Sequence, residues 1–176
     1  MPNNHVDVTA RGLVVKITAQ EEYGIRCLLR LGRAGAPLTI PEVAAAENLS
    51  AAYVGKLLTL LRQAGLVESV RGRTGGYHLS RSVSDIRLSE ALLALGEPLF
   101  DDPGYCAKHA GPETTGPCVH TDGCHLRGVW QTLADYLRHI LDQVTLQDLL
   151  TGEVPALRRL RDQIPREHPL LPLSRP

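Results

Sequence analysis

Apolar residues recur at helical spacing along this chain in successive blocks, parted by glycine, proline and polar runs. The first block opens at Thr18, an N-cap residue type with Glu21 at the capping-box spacing. Tyr23, Cys27, Leu28 and Leu31 then share one face, and Gly32, Gly35 and Pro37 close the helix. In TIPEVAAAENLS, Thr39 or Ile40 precedes Pro41, which suits a first helical turn. A short helix is therefore expected from Pro41 to about Glu47, with a tight turn at Asn48-Leu49. Ser50 caps a second helix running to about Ala64, where Gly65 stops it. Val54, Leu57, Leu58 and Leu61 form its buried stripe, while Ser50, Ala52, Tyr53 and Lys56 fall on the outer side. Two helices across a tight turn, the second with a polar outer face, make a helix-turn-helix.

The stretch LVESVRGRTGGYHLS leaves the helical period. Leu66 to Val70 alternates weakly as a strand, Arg71-Gly72-Arg73-Thr74-Gly75-Gly76 is a turn carrying two arginines, and Tyr77 to Leu79 returns. A hairpin directly after a helix-turn-helix is a wing. Ser89 to Leu95 reads as a short helix closed by Gly96 and Pro98. A long helix is expected from Leu126 to about Val144, with apolar residues at 126, 130, 133, 137, 140 and 144. Alternating steps of four and three mark an a/d seam, the pattern of a coiled-coil-like interface. Thr145 to Leu150 adds a helical turn or two, and beyond Gly152 a proline- and charge-rich tail is expected to be mobile.

The predicted architecture is mainly α: a winged helix-turn-helix domain with a small β-hairpin wing, plus a long C-terminal dimerisation helix. Its parts are an N-terminal extension over 1–15, the DNA-binding domain over 16–98, a cysteine-rich loop over 99–125, the dimerisation helix region over 126–150 and a tail over 151–176. Met1 to Val15 shows little period and reads as a loose extension, as a start codon placed too early would produce.

Composition changes this picture in two ways. With one Trp, one Phe and five Tyr, the core must be aliphatic, which favours helices. Formal net charge is zero, yet between Ser50 and Arg87 the bases Lys56, Arg62, Arg71, Arg73, Arg81 and Arg87 face only Glu68 and Asp85. Phosphate contacts need that local excess. No apolar run approaches the roughly 20 residues that cross a bilayer, and no secretory pattern opens the chain, so no membrane partner and a cytoplasmic setting are expected. Thiols stay reduced there, and clustered cysteines then point to metal or redox chemistry. No Ser-His-Asp order, phosphate loop or paired-carboxylate signature supports an enzyme.

Three of the four cysteines, Cys106, Cys118 and Cys124, lie within YCAKHAGPETTGPCVHTDGCHLRGVW, separated by eleven and five residues. Thiolates are soft donors suited to zinc or to iron–sulfur clusters. The spacing is not the C-x-x-C knuckle of a zinc ribbon. Three cysteines leave one coordination position short, with His109, His120 and His125 nearby and a ligand from outside the loop also open. Unliganded thiols, a zinc staple, a disulfide switch and a cluster all remain readings of these residues. Cys27, on the buried face of the first helix, reads as a core residue.

Three stretches together carry a resemblance: ITAQEEYGIRCLLRL, LSAAYVGKLLTLLRQAGLVESVRGRTGGYHLS, and the three cysteines followed by a helix with Trp130. From about Lys16 to Leu150 the chain resembles the bacterial Rrf2 superfamily of IscR, NsrR and RirA type. The wing is its most specific part, although Arg73-Thr74 breaks the family's glycine run. The resemblance implies a homodimeric winged-helix regulator, such as a repressor, that reads a pseudo-palindromic operator in double-stranded DNA and whose affinity an iron–sulfur cluster tunes. It implies cluster ligation by Cys106, Cys118 and Cys124. Where the IscR branch has a histidine three residues after the last cysteine, this chain has Arg127, which cannot bind iron. The NsrR branch uses a carboxylate near the start of the first helix of the partner, which matches Glu22. The implied site is three cysteines plus Glu22 in trans, with 4Fe–4S favoured over 2Fe–2S. On the DNA side the resemblance implies contacts from Ser50, Tyr53, Lys56, Arg71 and Arg73. The competing expectation is a cluster-free regulator of the same fold, switched by thiol oxidation, zinc or a small molecule.

Overall fold

A computed structural model describes residues 17–72, 75–96 and 124–163. Three helices, α1 (Ala19–Ala34), α2 (Ile40–Glu47) and α3 (Ala51–Gln63), lead into the hairpin β1 (Val67–Val70) and β2 (Gly76–Leu79). Then come α4 (Leu88–Leu95), the long α5 (His125–Leu141), α6 (Leu146–Thr151) and α7 (Pro155–Gln163). The hairpin is antiparallel, with Val67 opposite Leu79 and Val70 opposite Gly76.

The helix starts follow their local chemistry. Thr18 and Glu21 form a complete capping box on α1, and Thr39 with Glu42 forms another on α2, one residue before the Pro41 start expected. Ser50 caps α3 by accepting from Tyr53 N at 3.2 Å. Asn48 takes a left-handed conformation, φ 54°, in the tight turn between α2 and α3. Such caps satisfy amides that the first helical turn leaves without partners.

The core is aliphatic, as the sparse aromatics require. Cys27, Leu28, Val43, Val54, Leu57, Leu58, Leu61, Leu66, Ile86, Leu95 and Leu146 are fully buried or nearly so. Each fully buried leucine contributes about 1.5–3 kcal/mol of transfer free energy. Burial pushes the Cys27 thiol up to about 11, the nearby Glu47 carboxylate adds to this and Arg26 opposes it, so the sulfur is a protonated core group at neutral pH. Helices α1 and α4 cross so closely that any side chain at Gly24 would overlap that of Leu95.

Two features depart from the sequence reading. The long helix ends at Leu141, earlier than the expected Val144. Val144 is instead buried, and residues 144–147 run back along 83–88: Leu88 N donates to Val144 O at 2.8 Å and Leu146 N to Ile86 O at 3.1 Å. Thus α6, grouped in sequence with the dimerisation region, places Leu146 in the winged-helix core. The second departure is α7, which forms at Pro155–Gln163 inside the stretch expected to be a mobile tail.

Candidate nucleic-acid interface and cysteine site

The outer face of α3 is open. Ser50, Ala51, Ala52, Lys56, Thr59, Arg62 and Gln63 are exposed. The inner face, Val54, Leu57, Leu58 and Leu61, holds the helix on the core. At its N-terminus the Ser50 hydroxyl is already engaged in the cap, yet backbone amides there still favour an anion such as phosphate. Lys56 stands on the second turn and Arg62 on the last, so cations run the length of the exposed face.

Tyr53 differs from its expected outward placement. It is half-buried, and its ring meets Tyr23 of α1 edge-on, with centroids 6.1 Å apart and planes at 87°. The reason lies in α1: at that angular position the Tyr23 ring replaces solvent and covers one side of Tyr53. Arg26 lies over the Tyr23 ring, 5.3 Å from its centroid. Arg26 Nε donates to Glu47 Oε2 at 3.0 Å and Nη2 to Glu47 O at 2.8 Å, while Arg30 Nε donates to Glu47 Oε1 at 2.8 Å. Burial pushes the Glu47 carboxyl up, but the bonds from Arg30 and Arg26 outweigh it and the net shift is downward. Neither this pair of forks nor the tyrosine pair was legible in the sequence; a carboxylate inside the helix-turn-helix and two arginines one turn apart were the only hints.

Arg71 is exposed at the wing, and Gly72 beside it takes φ 115°. Arg73 lies outside the described residues. The wing is tied to the start of α2 by a backbone bridge missed in the sequence: Leu38 N donates to Tyr77 O at 2.9 Å and Tyr77 N to Leu38 O at 2.7 Å. This sets hairpin and helix-turn-helix as one unit, so Arg71 and Lys56 are carried on a common frame.

Of the candidate cluster ligands, Cys124 and Glu22 are described, and Cys106 and Cys118 lie outside the described residues, as do His109 and His120. Cys124 is half-exposed and is the N-cap of α5, its Sγ accepting from Arg127 N at 3.4 Å. A sulfur held as acceptor at a helix start suits a metal-bound thiolate, because the amides there favour negative charge. Glu22 is exposed in the first turn of α1. Its neighbour Glu21, passed over in the sequence except as a cap, is only 4% exposed. Among the described residues no three His, Cys, Asp or Glu side chains converge as a metal site. Also among them, no helix is long and apolar enough to cross a membrane.

Helix α5 buries none of its residues. Leu126, Val129, Leu133 and Tyr136 are exposed along it, at 56%, 52%, 37% and 55%. It meets the body across a cavity of about 230 Å³ lined by Leu92, Leu93, Ala134, Leu137 and Leu141 with Glu21 at one side. The apolar surface is thus wider than the seam drawn from the sequence, since Val129 and Tyr136 join it.

Known proteins are similar to this chain in sequence and fold. A regulator of Rhodobacter capsulatus described as rrf2-like and of helix-turn-helix type is 30% identical over 151 residues, covering 83% of this chain and 99% of its own. The transcriptional regulator IscR of Escherichia coli is 28% identical, over 79% of this chain and 82% of its own. Among solved structures, IscR of T. potens superposes with a TM-score of 0.59 at 28% identity, over 80% of this chain and 88% of its own. CymR, the global cysteine regulator of B. subtilis, superposes with a TM-score of 0.60 at 27% identity, over 79% and 98%. The profile of the Rrf2 family, iron-dependent transcriptional regulators, matches residues 17–152, and the chain belongs to that family of DNA-binding transcription regulators.

Proposed function

We propose that this regulator acts as a homodimer whose grip on a pseudo-palindromic operator is set by an iron–sulfur cluster. The observation that carries the reading is the placement of Cys124: a half-exposed sulfur at the N-cap of α5, between a DNA-binding body and a helix with an uncovered apolar face. Its donor chemistry fits such a group. Cys106, Cys118 and Cys124, with Glu22 of a second copy, would hold it, and 4Fe–4S is favoured over 2Fe–2S on the resemblance to the NsrR branch. When bound, the cluster supplies sensitivity to nitric oxide, iron supply or redox state.

The chain's own residues do the rest. The N-terminus of α3 and Ser50 meet phosphate, Lys56 projects toward a major groove, and Arg71 and Arg73 reach the adjoining groove or its phosphates. Tyr53, half covered by Tyr23, would orient the helix. The apolar stripe of α5, from Leu126 to Ile140, pairs with that of a second copy, and a body of this kind works in the cytoplasm.

A second reading has its own support in the likeness to CymR, a cysteine regulator also solved in an oxidized form from Staphylococcus aureus at 26% identity and a TM-score of 0.54. There the same cysteines would switch by thiol oxidation without a cluster. Anaerobic purification separates the two. The cluster reading expects a broad visible absorption band, iron and sulfide in the protein, and loss of all three in the Cys106→Ala, Cys118→Ala, Cys124→Ala triple variant. A colourless, iron-free wild type with unchanged operator affinity removes it. Glu22→Ala should speed loss of the visible band; an unaltered band removes the carboxylate ligand alone.

A further inference from the structure

Helix α4 ends at Leu95 and Gly96, ahead of the cysteine segment in sequence, and the structure shows what holds that exit point. Gln20 Nε2 donates to Leu95 O, a carbonyl that the helix end would otherwise leave without a partner. Glu21 is almost fully buried beside it. Its Oε2 accepts from Thr18 N at 2.7 Å, which completes the α1 cap, and its Oε1 sits against Gly96, where an added methyl group would overlap it. Gly24, one turn on, receives the Leu95 side chain. Gln20, Glu21 and Gly24, on one side of α1, thus touch Leu95 and Gly96, which precede the cysteine segment in sequence.

The adjoining face of the same turns touches the recognition helix. Tyr23 meets Tyr53 of α3 edge-on, and Arg26, stacked over Tyr23, is bonded to the side chain and backbone of Glu47, the last residue of α2. A helix of 16 residues is stiff over a single turn, so a displacement of its start is delivered to residues three and six positions on. Glu22 is exposed.

We propose that the first two turns of α1 form a lever within one chain: Gln20, Glu21 and Gly24 clasp the α4 exit at Leu95-Gly96, and Tyr23 with Arg26 passes its movement to α3 through Tyr53 and Glu47. Gln20 and Glu21 are positioning residues, and Tyr53 is the receiver of the signal more than a reader of bases. The inference rests on the reading that the cysteine segment carries the signal. It needs no particular prosthetic group, because any change that pulls on Gly96 loads the same clasp.

The test uses the full chain, freed of metal by chelation, and hydrogen exchange of α3 amides before and after carbamidomethylation of the thiols with iodoacetamide. Cys27, buried and held protonated, is spared. In wild type, exchange across residues 51–63 should change at least threefold on modification while the wing strands stay within 1.5-fold. Gly96→Ala, whose extended backbone (φ −139°) accepts alanine, opens the clasp by the clash with Glu21 and should reduce that response to less than 1.5-fold. Gln20→Met, a milder change that only removes the bond to Leu95 O, should do the same if Gly96→Ala fails to unfold cooperatively. A wild type whose α3 does not respond, a response that survives in both variants, or one shared equally by α3 and the wing overturns the lever. Absorbance and iron content of untreated protein decide the cluster reading separately, so either idea can fall alone.

Discussion

Helices α3 and α5 carry the same kind of apolar spacing, and their surroundings differ completely. On α3 the residues at 54, 57, 58 and 61 are fully buried among α1, α2, α4 and the hairpin. On α5 no residue is buried, and four large side chains stand in solvent. A stripe of this width is costly to leave in water, at roughly 25 cal/mol for each Å² of apolar surface. The body therefore closes on itself, whereas the apolar stripe of α5 is left exposed, and under the proposed homodimer a second copy of the stripe would cover it.

If that contrast is right, the largest stability effect belongs to the body. Leu57→Ala removes a fully buried side chain and should cost about 2–5 kcal/mol in urea unfolding, with the midpoint lowered accordingly. A loss under 1 kcal/mol would mean that the α3 stripe is not the closed core described here.

Next comes Glu47→Gln. It breaks two guanidinium forks, but the arginine side chains are 38% and 34% exposed, so solvent screening reduces the loss to about 1–2 kcal/mol at neutral pH. The folded-state pKa of Glu47 is depressed, so its contribution is full above the ordinary carboxylate value of 4.5 and disappears as pH falls through the folded value. The gap between wild type and variant in thermal midpoint should therefore be widest near neutrality and close in acid. A gap that is constant across pH would assign the loss to packing.

Thr18→Ala should cost about 1 kcal/mol by removing one half of the α1 capping box. Amide exchange should rise in the first turn of α1 and not in α6, whose own box at Thr145 and Asp148 is separate.

The smallest effect on the fold of a single chain is expected at α5. Leu133→Ala, on a side chain that is already 37% exposed, should change unimolecular stability by less than about 0.5 kcal/mol. Sedimentation should nevertheless show weakened self-association. Unchanged association would redirect attention to Leu126, Val129 and Tyr136, and a loss of stability comparable to Leu57→Ala would erase the contrast between the two helices.

Much of the body could be read from residues alone, because its signals are local. A cap is settled by residues three apart, as at Thr18 and Glu21; the stop after α3 by a glycine; the buried stripe by a repeat of three and four. The hairpin wing was legible for the same reason, and so were the exposed cations Lys56 and Arg71. The candidate metal site was legible only as residue types: Cys124 is found at a helix start, and the ligands at 106 and 118 fall outside the described residues.

Sequence by itself determined that this chain makes a helix-turn-helix with a wing, that its core is aliphatic, and that a late helix carries an apolar stripe, since each depends on chemistry within one or two turns. Only the tertiary structure decided that Tyr53 turns against Tyr23, that two arginines of α1 fork onto Glu47, that the chain returns after Leu141 to bury Val144 and Leu146, and that Gln20 reaches Leu95, 75 residues away. Those pairings follow from which surfaces meet once the stripes are buried. A periodic pattern fixes that a face must be covered, and the packing of whole elements fixes by what.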